Sequence, residues 1–415
     1  MKYCIRCFYH EQHPLNIIFN EDGLCSGCVI HEEKNKIDWD KKLIKLKRII
    51  KPYKDSKRSI NNCIVPISGG RDSYFIVDFV KNTLGLNPLL VNYNIQYNSD
   101  VGIRNLSYLK TQLGCPNLTL TVSPKKVKEI TKETMKNISS IYWHCIAGQT
   151  VFPVQTACRF RIPLIIWGFH QGLEQVGMFS HENEVEMTRK YRKEHDLMGY
   201  EAEDILENSK LTFEDISQFI YPSDSSISDV GVRGIYLNNY IRWDTKAQQE
   251  KMINKYGHET SDLKRTFDRY SNVDCHHYSG LHDYIKHLKH GYSLVTDHAT
   301  RELRLNRLSR KEGISLINKY SDIYPNDMDL FIKWLGISNQ EFQNFLEKSR
   351  NKNLWTKKNS KWVLKYPIDS FKIKDSIEKK NALKVLENLK YDSGKKKKSL
   401  EKKESYNLYG RGWEN

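Results

Sequence analysis

Two groups of residues in this chain have the types and spacing to do chemistry. The first is Ser68-Gly69-Gly70-Arg71-Asp72-Ser73. Its two glycines let a backbone approach a phosphate with no Cβ in the way. Ser68 and Ser73 add hydroxyl donors, and Asp72 can hold a magnesium ion or orient the loop. The G-x-x-x-x-G-K-[ST] pattern of a Walker loop is absent. The second group is Cys4-x2-Cys7 and Cys25-x2-Cys28, two matched pairs separated by a spacer of 17 residues. Four thiolates at ribbon spacing suit one tetrahedral zinc ion, closed to a catalytic water and therefore structural. A redox pair is the rival reading, and two matched pairs argue against it.

The elements around the first group decide whether it can work. Cys63-Ile64-Val65-Pro66-Ile67 reads as a short buried strand, and Tyr74-Phe75-Ile76-Val77-Asp78-Phe79-Val80 has apolar residues at helical spacing. A Ser/Gly turn from strand to helix presents backbone N–H groups at a positive helix end, a ready anion site. Further strands are expected near 87–93, 117–122 and 163–168, with helices near 101–113, 124–137 and 147–161. This alternation predicts an α/β fold with a parallel sheet covered on both faces. Ligands in such sheets bind beyond the carboxyl ends of the strands. Those ends carry Ser68-Gly69-Gly70, Asn92 and Gly168, which makes them one expected nucleotide site.

The remaining organisation follows from composition. Residues 1–33 form the expected ribbon and 34–180 the α/β domain; a charged helix near 39–51 joins them. Residues 181–367 read as a polar lid or insertion followed by packed helices, and 368–415 as a Lys-rich tail. A chain of 415 residues can bury a sizeable core. No signal peptide or membrane span is evident, so the expectation is a cytoplasmic protein with no membrane partner. The formal charge of +16 favours anionic partners without choosing among them, and part of it lies in Lys395–Lys398, Lys402 and Lys403.

The SGGxDS loop resembles that of the PP-loop ATP pyrophosphatases, of the adenine nucleotide alpha hydrolase-like fold, which cleave ATP to AMP and pyrophosphate. Later segments narrow the resemblance. In order they are Gly23-Leu24-Cys25-Ser26-Gly27-Cys28, Trp143-His144-Cys145-Ile146-Ala147-Gly148, Ile162-Pro163-Leu164-Ile165-Ile166-Trp167-Gly168 and Tyr240-Ile241-Arg242-Trp243-Asp244. Then come Leu281-His282-Asp283-Tyr284-Ile285-Lys286-His287-Leu288-Lys289-His290-Gly291-Tyr292 and Thr296-Asp297-His298-Ala299-Thr300-Arg301. Over about residues 1–350 the chain is similar to the N-acetyl sugar amidotransferases of bacterial surface-polysaccharide and nonulosonic-acid pathways.

The resemblance implies ATP, Mg²⁺ and structural Zn²⁺ as cofactors and a nucleotide-activated N-acetyl sugar as substrate. The N-acetyl group would become an acetamidino group. Ser68, Gly69, Gly70 and Ser73 would cradle pyrophosphate, Asp72 would act through magnesium, and Arg71 is a candidate cation for the α-phosphate. One departure is Phe169, where the family often has an acidic residue after the Trp-Gly of the fourth strand. The chain has Lys2 at its second position and no G-x-C-x-G nucleophile turn. A separate glutaminase subunit is therefore expected to supply ammonia; in the family it resembles the glutaminase and cyclase pair of histidine synthesis.

Substrate contacts are expected from His298, Arg301 and Arg304, which share one helical face, and from His144 at a helix start. The bland readings are a solvated basic face for the first three and a capping residue for His144. Two other functions compete. A PP-loop tRNA sulfurtransferase would use Cys145 or Cys158, although their spacing is not a paired motif and the later segments make nucleic acid an unexpected partner. A zinc-ribbon adaptor for nucleic acid or protein would leave the SGGRDS loop idle.

Overall fold

A computed structural model describes residues 1–15, 17–56, 59–275 and 277–371, with the backbone alone at His277. The Lys-rich stretch from 372 onward lies outside these residues. The chain opens with a cysteine-rich loop and helix α1 (Ser26–Glu33), followed by α2 (Trp39–Lys54). The Asp38 side chain caps α2 by accepting from the Lys41 N–H at 3.0 Å.

The next segment is the expected α/β unit. It runs β1 (Cys63–Pro66), α3 (Arg71–Asp78), β2 (Pro88–Tyr93), α4 (Asp100–Gln112) and β3 (Asn117–Leu120), then α5 (Pro124–Ile138), α6 (Trp143–Phe160) and β4 (Leu164–Trp167). The central strands β1, β2 and β4 are short and largely apolar because both their faces are covered, whereas the edge strand β3 is half-exposed. Cys63 and Val65 of β1 pack with Leu46 and Ile50 of α2 on one face. Ile64, between them, turns to Val151, Val154 and Ala157 of α6 on the other.

The sheet does not end near residue 180. A fifth strand, β5 (Arg233–Tyr236), pairs parallel with β4, and the strand order is β3-β2-β1-β4-β5. The expected boundary at 180 is thus corrected: the sheet needs residues from the stretch assigned to a lid. The Arg233 side chain is neutralised by Glu186, whose carboxylate takes both of its contacts with Nε within 2.9 Å. Glu186 also bridges to Ile235, so the polar stretch is sewn to the sheet edge.

Beyond the sheet, helices span His277–His290, Leu294–Arg304, Arg310–Tyr320, Met328–Leu335 and Asn339–Ser349. Ser309 and Ser338 start the third and fifth with reciprocal Glu312 and Glu341 caps. An antiparallel hairpin of β6 (Trp355–Lys358) and β7 (Lys361–Leu364) closes the described chain. No described helix is long and apolar enough to cross a membrane.

Candidate active site

In this strand order the chain turns back between β1 and β4, and a crevice opens beyond their carboxyl ends. There the structure has a cleft of about 500 Å³, lined among others by Ser68, Gly70, Arg71, Asp72, Ser73, Gly168 and Phe169. Gly69 takes φ +84°, and a Cβ there would stand 2.9 Å from Leu106 Cβ on α4, so two constraints require glycine. Ser73 Oγ accepts from the Ser68 N–H at 3.1 Å, and Ser68 Oγ accepts from the Gly70 N–H at 3.1 Å. Helix α3 starts at Arg71 with Gly70 at its N-cap and no side chain capping it, so its positive end is free for an anion.

Asn92 does not line the cleft. Its Nδ2 donates to Ile67 O at 2.9 Å, so it braces the strand end that carries the loop. Gly168 does line it, and a Cβ there would fall 2.6 Å from Ile76 Cδ1. The Arg71 guanidinium donates to Ser271 Oγ at 2.6 Å and to Asp72 Oδ2 at 3.2 Å. It also stands 5.8 Å from the centre of the Phe169 ring. Phe169 therefore holds Arg71 by its π face, where an acidic residue would take the charge as an ion pair.

The opposite wall comes from the C-terminal region. His298 and Arg301 both line it. His298 sits between two hydroxyls, Thr266 Oγ1 at 2.7 Å and Ser271 Oγ at 3.1 Å. Burial pushes its imidazole down to about 3, so it faces the cleft uncharged at neutral pH. Arg301 is paired with Asp268 and with Glu302. Burial works against the Asp268 carboxylate, yet the charges of Arg301 and Arg71 and the hydrogen bond from Arg301 hold it far below the usual carboxylate range.

Two expected substrate residues stand differently. His144 is buried at 1% exposure beneath the cleft, with Nδ1 3.1 Å from Tyr93 Oη, and burial pushes it down to about 3. It supports Tyr93, which does line the cleft, and does not itself reach it. Arg304 lines the cleft but turns its guanidinium to the cysteine cluster, with Nη2 3.6 Å from Cys25 Sγ and 3.9 Å from Cys7 Sγ. Its Nη1 donates to Gln175 O at 2.8 Å. No cysteine among the described residues lines the cleft. Burial raises the Cys145 and Cys158 thiols instead of activating them.

Cys4, Cys7, Cys25 and Cys28 converge, buried, with all four Sγ atoms within 4.8 Å of one another. Cys4 and Cys28 are 3.9 Å apart and Cys7 and Cys25 3.4 Å. Sulfurs on a tetrahedral zinc, at about 2.3 Å from the ion, stand about 3.8 Å apart. The four residues fit that ion, and the Arg304 guanidinium offsets the surplus negative charge of four thiolates. The ribbon is not a free unit, because it forms part of the cleft wall. Ser26 Oγ donates to Val176 O at 2.6 Å, and Gly27 lies so close to Gln175 O that any side chain would collide. Tyr9 and Gln175 both line the cleft.

Sequence reasoning missed Tyr9, Gln175, Ser271, Asp274 and Asp297, all of which line the cleft. Only Asp297 left a signal, as the acidic residue beside His298 in the motif already singled out.

Fold and site together define an α/β protein with a Ser/Gly-rich strand-to-helix loop at the switch point of a parallel sheet. Residues 264–367 match the family described as LPS biosynthesis protein WbpG-like, C-terminal domain. That match fits the resemblance to the N-acetyl sugar amidotransferases of surface-polysaccharide pathways. Among solved structures, the chain has a likeness to an NH3-dependent NAD synthetase from Campylobacter jejuni in complex with the nitrate ion. The likeness covers 55% of this chain and 99% of that one at 14% identity with a TM-score of 0.28, too loose a superposition to bear on function. No curated protein matches the chain.

Proposed function

We propose that the protein is an ATP-dependent amidotransferase that turns the N-acetyl group of an activated sugar into an acetamidino group in surface-polysaccharide biosynthesis. One observation carries this reading: the phosphate loop at the end of β1 faces, across one cleft, the His298 and Arg301 wall of the WbpG-like region. The Ser68–Ser73 loop and the part of the chain that matches a polysaccharide-biosynthesis family line one cleft, which supports the reading.

The chemistry asks for such an arrangement. An amide carbonyl is a poor electrophile and its oxygen a poor leaving group. The amide oxygen attacks the α-phosphorus of ATP, the bond to pyrophosphate breaks, and an O-adenylyl imidate forms. Ammonia adds to the activated carbon, loses its extra proton, and AMP leaves with the former acetyl oxygen. The Ser68–Ser73 loop and the open end of α3 suit the departing pyrophosphate. Arg71, held beside Asp72 and Phe169, suits the transferring phosphoryl group. Magnesium bound with the nucleotide would offset phosphate charge, with Asp72 on its side of the loop. His298, as a neutral imidazole between two hydroxyls, suits a hydrogen bond to the sugar better than a charge contact. Ammonia would come from a separate glutaminase subunit.

The test is to supply ATP, Mg²⁺ and ammonium with a panel of N-acetylated sugar nucleotides. The expected result is AMP and pyrophosphate in equal amounts, and a sugar in which oxygen has been exchanged for NH. With heavy oxygen in the acetyl group, the label should appear in AMP. Release of AMP with tRNA as sole acceptor would instead favour sulfur transfer.

A further inference from the structure

Segment 271–275 lies across the phosphate loop. The Ser99 hydroxyl, at the start of α4, donates to Val273 O, and Gly102 packs so closely on the Asp274 backbone that a Cβ would collide with it. This packing fixes the Asp274 backbone. Asp274 Oδ1 stands 3.2 Å from where a Cβ on Gly70 would be, and the Ser68 hydroxyl oxygen stands 3.1 Å from the same point.

A carboxylate here runs against the purpose of the loop. The positive end of α3 attracts an anion, while Asp72 and Asp274 together repel one. The nearest cation, Arg71, is already bonded to Asp72 and Ser271. Burial pushes the Asp274 carboxyl above its ordinary value, and the charge of Asp72 adds to the shift. A ligand is also called for by Thr300, which lines the same cleft at 1% exposure with no partner for its Oγ1 among the described residues.

We propose that Asp274 faces the divalent cation that enters with the nucleotide, sharing it with Asp72, so that the WbpG-like region completes the ATP site. This rests on the cleft being a nucleotide site. Magnesium is held in such sites by one or two carboxylates and the phosphates themselves, keeping several waters. Asp72 at the start of α3 and Asp274 line the same cleft and meet that requirement, and the cation turns their repulsion of pyrophosphate into attraction.

The experiment is ATP titration by calorimetry, with and without Mg²⁺, in chelator-free buffer so that the cysteine site stays loaded. Wild type should lose at least about tenfold in affinity without Mg²⁺. Asp274→Asn should bind metal-free ATP more tightly than wild type and gain little from Mg²⁺. Asp274→Glu, which keeps the charge, should retain the dependence; melting temperature checks that both variants fold. Unchanged magnesium dependence in Asp274→Asn, or equal weakening with and without the ion, would overturn the role of Asp274 alone. Failure of wild type to bind ATP under either condition would overturn the nucleotide site and this proposal with it.

Discussion

Tyr9 donates its phenolic O–H to Asp297 Oδ1 at 2.7 Å, joining the cysteine-rich N-terminus to a carboxylate of the cleft across most of the described chain. Gln175 Nε2 donates to the same oxygen at 2.8 Å, and Lys286 pairs with the other. The ribbon is therefore a wall of the site as well as a clasp.

Removing the ribbon metal should disable the cleft. A strong chelator, or Cys28→Ser, is expected to release zinc, lower the melting temperature and abolish AMP formation together. Tyr9→Phe is the milder probe: it removes one bond to a charged group, so kcat/KM should fall about tenfold with zinc retained. Zinc content by chromogenic assay alongside turnover checks both.

Gly69→Ala should destabilise the loop. The left-handed φ of +84° and the Leu106 Cβ at 2.9 Å both oppose a side chain. The expected loss is about 1–3 kcal/mol in urea unfolding, with a larger fractional loss of ATP binding. An unchanged midpoint would mean the loop relaxes freely.

Phe169 should matter through Arg71. Phe169→Leu removes the ring beside the guanidinium and is expected to weaken ATP binding by about 0.5–1 kcal/mol. Phe169→Asp should cost more, because the new carboxylate would pair with Arg71 and draw it from the phosphate. A gain in ATP affinity for Phe169→Asp would show that the aromatic residue weakens the site.

Stability should depend on pH through buried histidines. Burial lowers His144 and His298 from an ordinary 6.5 to about 3. Between those values the unfolded chain binds more protons than the folded one, so stability is complete above about 6.5 and falls as pH drops towards 3. Each histidine contributes about 1 kcal/mol per pH unit in that window. His144→Gln should flatten the pH dependence of the urea midpoint by about that amount.

The loop and the cysteine pairs were legible in the sequence because their chemistry is local. Gly69 must be glycine for its own φ, and the thiolates come in adjacent pairs. Strand β5 was not legible: it lies in the stretch read as a polar lid or insertion and packed helices, and its Arg233 sits at the sheet edge paired with the distant Glu186. The β6–β7 hairpin was missed because its turn, Asn359-Ser360, lacks the usual glycine although both residues take positive φ. Asp274 was out of reach for another reason. Nothing near it says that its segment will fold back over the Ser68–Ser73 loop some two hundred residues earlier.

The placement of Arg304 also sets an order of events in the cell. Cys7 and Cys25 leave the ribosome before Arg304, and the guanidinium that lies against their sulfurs arrives only after the whole sheet has been made. Chains usually fold from the N-terminus as they are synthesised. Here the cysteine cluster gains its charge partner late, after all five strands of the sheet are complete.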